Sequence, residues 1–154
     1  MVYRVSKTFE VEAGHMLSKH PGLCRHPHGH SRQIEVVLAS PELDASDMVC
    51  DFKTVRLALR AYVDRFDHAL AVHSADPRLE QMKAITERIV VFEGRDPTTE
   101  AMARMVFDFL SDEIAARREY ADERGVAYRF PPNVVVERVR VSETSSTWAE
   151  YARA

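Results

Sequence analysis

Five of the seven histidines of this chain, and one of its two cysteines, fall between His15 and His30, and the last two histidines run on into a strand-forming segment. The stretch reads Cys24-Arg25-His26-Pro27-His28-Gly29-His30-Ser31 and passes, after Arg32, into Gln33-Ile34-Glu35-Val36-Val37-Leu38. The β-branched and apolar residues of the second part predict a strand. Alternate residues of a strand share a face, so His28 and His30 project together from one side. His15, at the end of an earlier predicted strand, can bring a third imidazole to them. Three protein ligands with a free fourth position hold a catalytic zinc, whereas four make a closed structural site. A lone His-x-His is equally well read as two surface histidines beside a turn. The set His15, Cys24, His28 and His30 is more specific, because a soft nucleophile precedes the pair by four residues.

With 154 residues the chain is long enough for one domain with a buried core, and residues 1–154 are read as such. A hydrophobic fraction of 45% beside 29% charged residues is that of a soluble globular protein. The formal net charge of −3, with no basic tract, argues against a general nucleic-acid binder. Met1-Val2-Tyr3-Arg4-Val5 has no apolar h-region, no run reaches the length of a membrane span, and two cysteines are too few for a disulfide framework. A cytoplasmic location is expected on those grounds. Cys50, in Met48-Val49-Cys50-Asp51 ahead of a helix, reads as a small buried hydrophobe.

Tyr3 to Glu12 alternates as a strand, with Tyr3, Val5, Phe9 and Val11 on one side and Lys7 interrupting it. Gly14 to Pro27 is a predicted loop of the length that often carries function. Ile34 to Leu38 is expected to pair antiparallel with the first strand, and Ser40 to Asp44 is a turn. A helix opens at Asp51-Phe52-Lys53 with Asp51 as N-cap. It carries the stripe Phe52, Val55, Leu59, Tyr62, Val63 and Phe66 and ends near Asp67-His68. His73 to Pro77 reads as a turn, Pro77 to Ile85 as a short helix, and Arg88 to Gly94 as a short strand. Asp96-Pro97-Thr98-Thr99-Glu100 announces another helix, with Met102, Met105, Val106, Phe109, Leu110 and Ile114 as its core face. Arg117 to Arg124 is expected to form its solvated last turns, stopping at Gly125. Val134 to Ser142 is the last strand, and Trp148 to Tyr151 packs back on the sheet. No solenoid period is found. The order predicts an α+β domain with helices on one face of an antiparallel sheet, the other face covered by self-association.

Phe9-Glu10-Val11-Glu12-Ala13-Gly14-His15, followed by Cys24-x-x-x-His28-Gly29-His30-Ser31, resembles the 6-pyruvoyl-tetrahydropterin synthase / 6-carboxytetrahydropterin synthase family. Four further segments are similar, in the family's order, out to Glu143. Val49-Cys50-Asp51-Phe52 resembles the entry to its first helix and Phe66-Asp67-His68 its Leu-Asp-His. Asp96-Pro97-Thr98-Thr99-Glu100 resembles its Asn-Pro-Thr-x-Glu, and Val141-Ser142-Glu143-Thr144 its Val-x-Glu-Thr. Each segment also has a plain structural reading. Asp67-His68 can be a polar helix C-terminus, Glu143 a strand-end carboxylate, and Thr98-Thr99-Glu100 a helix cap.

The resemblance implies a tunnelling fold (T-fold): an antiparallel four-stranded sheet with two helices on one face. It implies zinc held by His15, His28 and His30, contacting the side-chain hydroxyls of 7,8-dihydroneopterin triphosphate as a Lewis acid. Cys24 would be the general base, and Asp67 and His68, from a neighbouring subunit, a proton relay. Glu143 would accept two hydrogen bonds from the 2-amino and N3–H edge of the pterin, with Thr98 and Thr99 on the same ring. A homohexamer with the site at subunit interfaces is implied too. The Cys-x-x-x-His-Gly-His spacing favours 6-carboxytetrahydropterin synthase, which releases acetaldehyde and triphosphate on the route to queuosine. The alternative within the family is 6-pyruvoyl-tetrahydropterin formation by triphosphate elimination. One from another class is a non-catalytic zinc module in which Cys24 closes the site. The chain departs from the family pattern at Arg32, where an aromatic residue is common, and in the long excursion between His68 and Pro97. His26 has no assigned role, and Lys19, His20 and Arg25 are the cations available for a triphosphate.

Overall fold

A computed structural model describes residues 1–154. Strands β1 (Tyr3–His15) and β2 (His28–Ser40) form a long antiparallel pair, in register from Tyr3↔Ser40 to His15↔His28. Chain order then gives α1 (Phe52–Asp64), β3 (Ala69–His73), α2 (Leu79–Ile85), β4 (Ile89–Phe92) and α3 (Thr99–Ala115). A small hairpin of β5 (Glu119–Ala121) and β6 (Ala127–Arg129) follows, and β7 (Val135–Ser142) and β8 (Trp148–Ala152) end the chain. The main sheet has six strands in the order β4-β3-β1-β2-β7-β8.

This corrects the expected four-stranded, wholly antiparallel sheet with two helices. The main sheet has six strands and the chain three α-helices, and β3 runs parallel to both β1 and β4. The largest surprise is β3, whose last residue His73 was expected in a turn. Its alanine-rich sequence has little intrinsic strand preference, and burial of Ala69, Ala71, Val72 and His73 against neighbours overrides it. Gly14 marks where β3 docks: a Cβ there would lie 3.3 Å from the Ala69 carbonyl oxygen. The expected loop from Gly14 to Pro27 therefore starts two residues late, after His15.

The second correction concerns Arg117 to Arg124, expected as solvated helix. Arg117 takes a left-handed φ of 52° and ends the helix, and the chain turns back at Gly125 (φ 76°) as the β5–β6 hairpin. Buried Asp122 organises that turn by accepting the N–H groups of Arg124 and Val126, both at 2.9 Å.

One sheet face carries the core. Phe9, Val11 and Ala13 of β1 and Ile34, Val36 and Leu38 of β2 pack with Val55, Leu59 and Val63 of α1 and Met102, Val106 and Leu110 of α3. Asp51 caps α1 as expected, accepting from the Lys53 N–H. Phe52, expected in the buried stripe, is exposed, while Met105, Phe109 and Ile114 are only half-buried. Tyr62 reaches across from α1 to stack on Phe109, ring centroids 3.9 Å apart. Cys50 is buried, and burial pushes its thiol up to about 12, as for an inert core residue.

Candidate metal and ligand site

The strand register decides where the histidines go. In the β1–β2 ladder Ala13 faces His30 and His15 faces His28, and these positions share the parity of Phe9, Val11 and Ile34. All three imidazoles therefore lie on the core face, at the end of the sheet, beside the N-terminus of α3. Ring centroids are 4.5 Å apart for His15–His28, 5.2 Å for His15–His30 and 5.1 Å for His28–His30. One ring nitrogen from each lies within 4.8 Å of the others, a group that can hold a metal ion.

The surrounding backbone selects the tautomers. His15 Nδ1–H donates to the Pro97 carbonyl at 2.8 Å, and His28 Nδ1–H donates to the His26 carbonyl at 2.8 Å. Carbonyls only accept, so each ring in its neutral form presents an unprotonated Nε2. Those two Nε2 atoms stand 3.0 Å apart. Two lone pairs aimed at each other repel unless a cation or a proton lies between them. His30 Nε2 is buried with no hydrogen-bond partner, which is costly for a polar atom unless something else satisfies it. Burial pushes His15 down to about 4, and burial, followed by the Arg32 charge, lowers His30 as well. Three ring nitrogens thus converge on one point where a metal ion can be held.

Arg32 continues the same face of β2, between His30 and Ile34. Its side chain is 0% exposed and belongs among the largest fully buried groups of the protein. Nη1 donates to Thr99 Oγ1 at 2.9 Å, and Nη2 lies 3.2 and 3.4 Å from the two ring nitrogens of His15. Because His15 Nδ1 spends its proton on Pro97, the Arg32 contact there is a cation against an imidazole rather than a second donor–acceptor pair. The sequence had marked Arg32 only as a departure. The period of two that put His28 and His30 on one face would have placed residue 32 beside them.

Glu143 sits just past the end of β7. Thr99 Oγ1 donates to its Oε2 in a short hydrogen bond, Arg32 Nη2 is 3.9 Å from the same oxygen, and Oε1 is 3.6 Å from His30 Nε2. Burial works to raise its carboxyl, but the Thr99 bond and the Arg32 cation outweigh it and leave Glu143 below the ordinary range. Thr98 is the N-cap of α3, accepting the Ala101 N–H at 3.1 Å.

The other expected residues lie apart from this cluster. Cys24 is half-buried in the short 3-10 turn Leu23–Arg25, in the loop joining β1 to β2, and is not one of the three ligands. Asp96 ties that loop down: its carboxylate accepts from Ser18 N–H at 3.0 Å, Ser18 Oγ at 2.6 Å and Lys19 N–H at 2.9 Å. Read from sequence only as a helix start, Asp96 gave no signal of this long-range role. Asp67 and His68 form a corner after α1. Glu12 N–H donates to Asp67 Oδ1 at 2.8 Å, and Asp67 Oδ2 is 3.0 Å from His68 Nδ1. His68 has a φ of 51° and a side chain 74% exposed. Lys19, His20, Arg25 and His26 are all exposed on the loop.

A mixed α+β sheet, with three imidazoles that can hold a metal ion and a carboxylate gathered at one end, defines a domain of the T-fold type. The profile of the 6-pyruvoyl tetrahydropterin synthase family matches residues 4–154, and the chain belongs to that family. It is 31% identical to a 6-carboxy-5,6,7,8-tetrahydropterin synthase of Aquifex aeolicus, an alignment covering 98% of both chains. A Rickettsia bellii protein of the same name is 30% identical over 65% of this chain and 74% of its own. In three dimensions the chain is similar to an uncharacterized protein of Wolinella succinogenes, with a TM-score of 0.77, 21% identity and coverage of 100% and 99%. It is similar also to the 6-pyruvoyltetrahydropterin synthase of Plasmodium vivax, with a TM-score of 0.68, 15% identity and coverage of 99% and 98%. No helix is long and apolar enough to cross a membrane.

Proposed function

We propose that the protein is a zinc-dependent 6-carboxytetrahydropterin synthase. It converts 7,8-dihydroneopterin triphosphate to 6-carboxy-5,6,7,8-tetrahydropterin with release of acetaldehyde and triphosphate, a lyase step in queuosine biosynthesis. The observation that carries this reading is the convergence of three imidazoles, His15, His28 and His30, beside the Glu143 carboxylate. Relatives bearing the 6-carboxy name support it further.

His15, His28 and His30 would hold the ion. Bound zinc supplies Lewis-acid polarisation of a substrate oxygen. Glu143 accepts the paired N–H donors of the pterin edge, and Thr99 holds it in place. The Thr98 hydroxyl oxygen is engaged as a cap and keeps its O–H for the ring. Cys24 acts as the general base from the anchored loop. Asp67 orients the His68 imidazole as proton relay. A side chain as exposed as His68 suits service in a neighbouring chain's site, so the working unit is a homo-oligomer, read as a hexamer of single-domain chains in the cytoplasm. Lys19, His20 and Arg25 are the loop cations for the triphosphate.

The standing of Cys24 outside the three-nitrogen group supports an open site over a closed structural one. Cys24→Ser is expected to keep its metal and lose turnover; loss of metal with an unstable fold would favour the structural zinc module. Within the family, 6-pyruvoyl-tetrahydropterin formation begins with the same proton abstraction. Incubation with dihydroneopterin triphosphate, mass analysis of the pterin and an acetaldehyde assay separate the two. Equimolar acetaldehyde is expected; a 6-pyruvoyl product without it would replace the proposed reaction.

A further inference from the structure

Arg32 is an expensive residue to bury. Its guanidinium has no exposed surface, and its Nε has no hydrogen-bond partner. Taking such an ion out of water is costly unless it is well paired. An apolar side chain of similar volume would fill the same space without that cost. Only one carboxylate lies within 4 Å of it, that of Glu143 at 3.9 Å. The direct approach is too long for a hydrogen bond, so the coupling runs mainly through Thr99.

The polarity of that chain of bonds has one solution. Arginine only donates, and an ionised carboxylate only accepts. With Arg32 Nη1 occupying a lone pair of Thr99 Oγ1 at 2.9 Å, the single hydroxyl proton must point to Glu143 Oε2. Nη1 also reaches toward the carbonyl of Ser142 at 3.4 Å, the residue before Glu143. Arg32 thus holds both the approach of the backbone to Glu143 and the orientation of its carboxylate. Glu143 Oε1 carries no hydrogen bond and is turned toward His30, 3.6 Å from Nε2.

We propose that Arg32 is a positioning residue that, through Thr99, locks Glu143 as a fixed double acceptor, and so sets the site's preference for a 2-amino-pteridine over its 2-oxo counterpart. The inference rests on the pterin reading of the site. A 2-amino-4-oxo ring offers two adjacent N–H donors to a carboxylate. A 2-oxo ring replaces one of them with a carbonyl, which a locked, ionised carboxylate repels. Sites built to receive a donor reject the ligand lacking it far more strongly than apolar pockets reject a size change. A Glu143 released from its lock can turn aside, and the rejection weakens.

The test is equilibrium binding of neopterin and of the lumazine with the same side chain, followed by ligand fluorescence on the metal-loaded oligomer. Metal content and melting temperature are measured in parallel. The wild-type protein is expected to prefer neopterin by more than about tenfold. Arg32→Met should weaken neopterin roughly 10- to 100-fold, the range for losing a charged hydrogen-bond partner, while lumazine affinity moves less than about threefold. Metal content should stay unchanged. Arg32→Lys should recover part of the loss, and adding Thr99→Val to Arg32→Met should cost little more, since both act on one path. Unchanged neopterin affinity in Arg32→Met, or an equal loss of both pteridines together with metal, overturns the proposal. If Arg32→Met does not fold, Thr99→Val alone must reproduce the selective loss, and its failure to do so is equally fatal. A wild-type protein that binds neither pteridine is a different result: it removes the pterin reading itself, and the role of Arg32 with it.

Discussion

The histidine cluster and the Asp67–His68 corner lie on either side of the same strand end, yet they are built in opposite ways. The cluster is buried, its rings held by the Pro97 and His26 carbonyls and backed by Arg32. The corner hangs from β1 by the bonds between Glu12 and residues 67 and 68, and His68 stands in solvent. The cluster is preorganised within its own chain. The corner has its backbone fixed, with a left-handed φ at a non-glycine residue, and lacks anything for its ring to act on. A left-handed φ at an exposed histidine is in keeping with the proposed service of His68 in a neighbouring chain's site.

Breaking the preorganised cluster should have the largest effect. His28→Ala should lower metal affinity by more than the roughly 10- to 100-fold typical of losing a mere supporting partner, and abolish turnover. Metal analysis after dialysis checks it, and full occupancy would mean the three nitrogens are not the ligands. Next comes His68→Ala, expected to cut turnover by about 10²–10⁴ with metal content intact. Mixing these two inactive variants sharpens the contrast: if the corner serves a neighbouring chain, the mixture regains activity that neither parent has. Identical inactivity of the mixture would return His68 to its own chain or remove it from the reaction.

A smaller effect is expected for Asp96→Ala, about 1–2 kcal/mol of stability by urea unfolding, with reduced turnover as the Cys24 loop loosens. The pH dependence gives a second view. Burial works to raise the Asp96 carboxyl, but its bonds from Ser18 and Lys19 win and hold it below the ordinary aspartate value of about 3.8. A carboxyl depressed in the folded state binds fewer protons there than in the unfolded chain. Its stabilisation is complete above about 3.8 and is lost as pH falls through the lower folded value. Asp96→Asn should flatten that part of the acid unfolding curve. Smallest is Gly14→Ala, where a Cβ 3.3 Å from the Ala69 oxygen presses β3 away between the cluster and the corner. About 1 kcal/mol is expected from thermal melts, and a change in metal affinity larger than that in turnover would show which of the two feels the strain first.

Much of this was legible in sequence because it depends on local periodicity. The alternation of β2 placed His28 and His30 together, the three-and-four spacing gave α1 and α3, and Asp51 and Thr98 carried cap signals. What escaped was set by contacts distant in sequence. β3 has a weak strand sequence and forms because it docks at Gly14, and the β5–β6 hairpin forms around buried Asp122. Thr98 and Thr99 looked alike as a pair, but helix geometry turned one into a cap and the other toward Glu143.

By itself, then, the sequence determined the pairing of His28 with His30 on one face, the central part of the first two strands and, through its motifs, the family, since these follow from residue types and order along the chain. Only the tertiary structure decided the parallel strands at the sheet edge, the tautomer of His15, and the burial of Arg32 between imidazole and carboxylate. Those depend on which groups meet across 13 to 110 residues of chain, and no local pattern encodes a meeting of that kind.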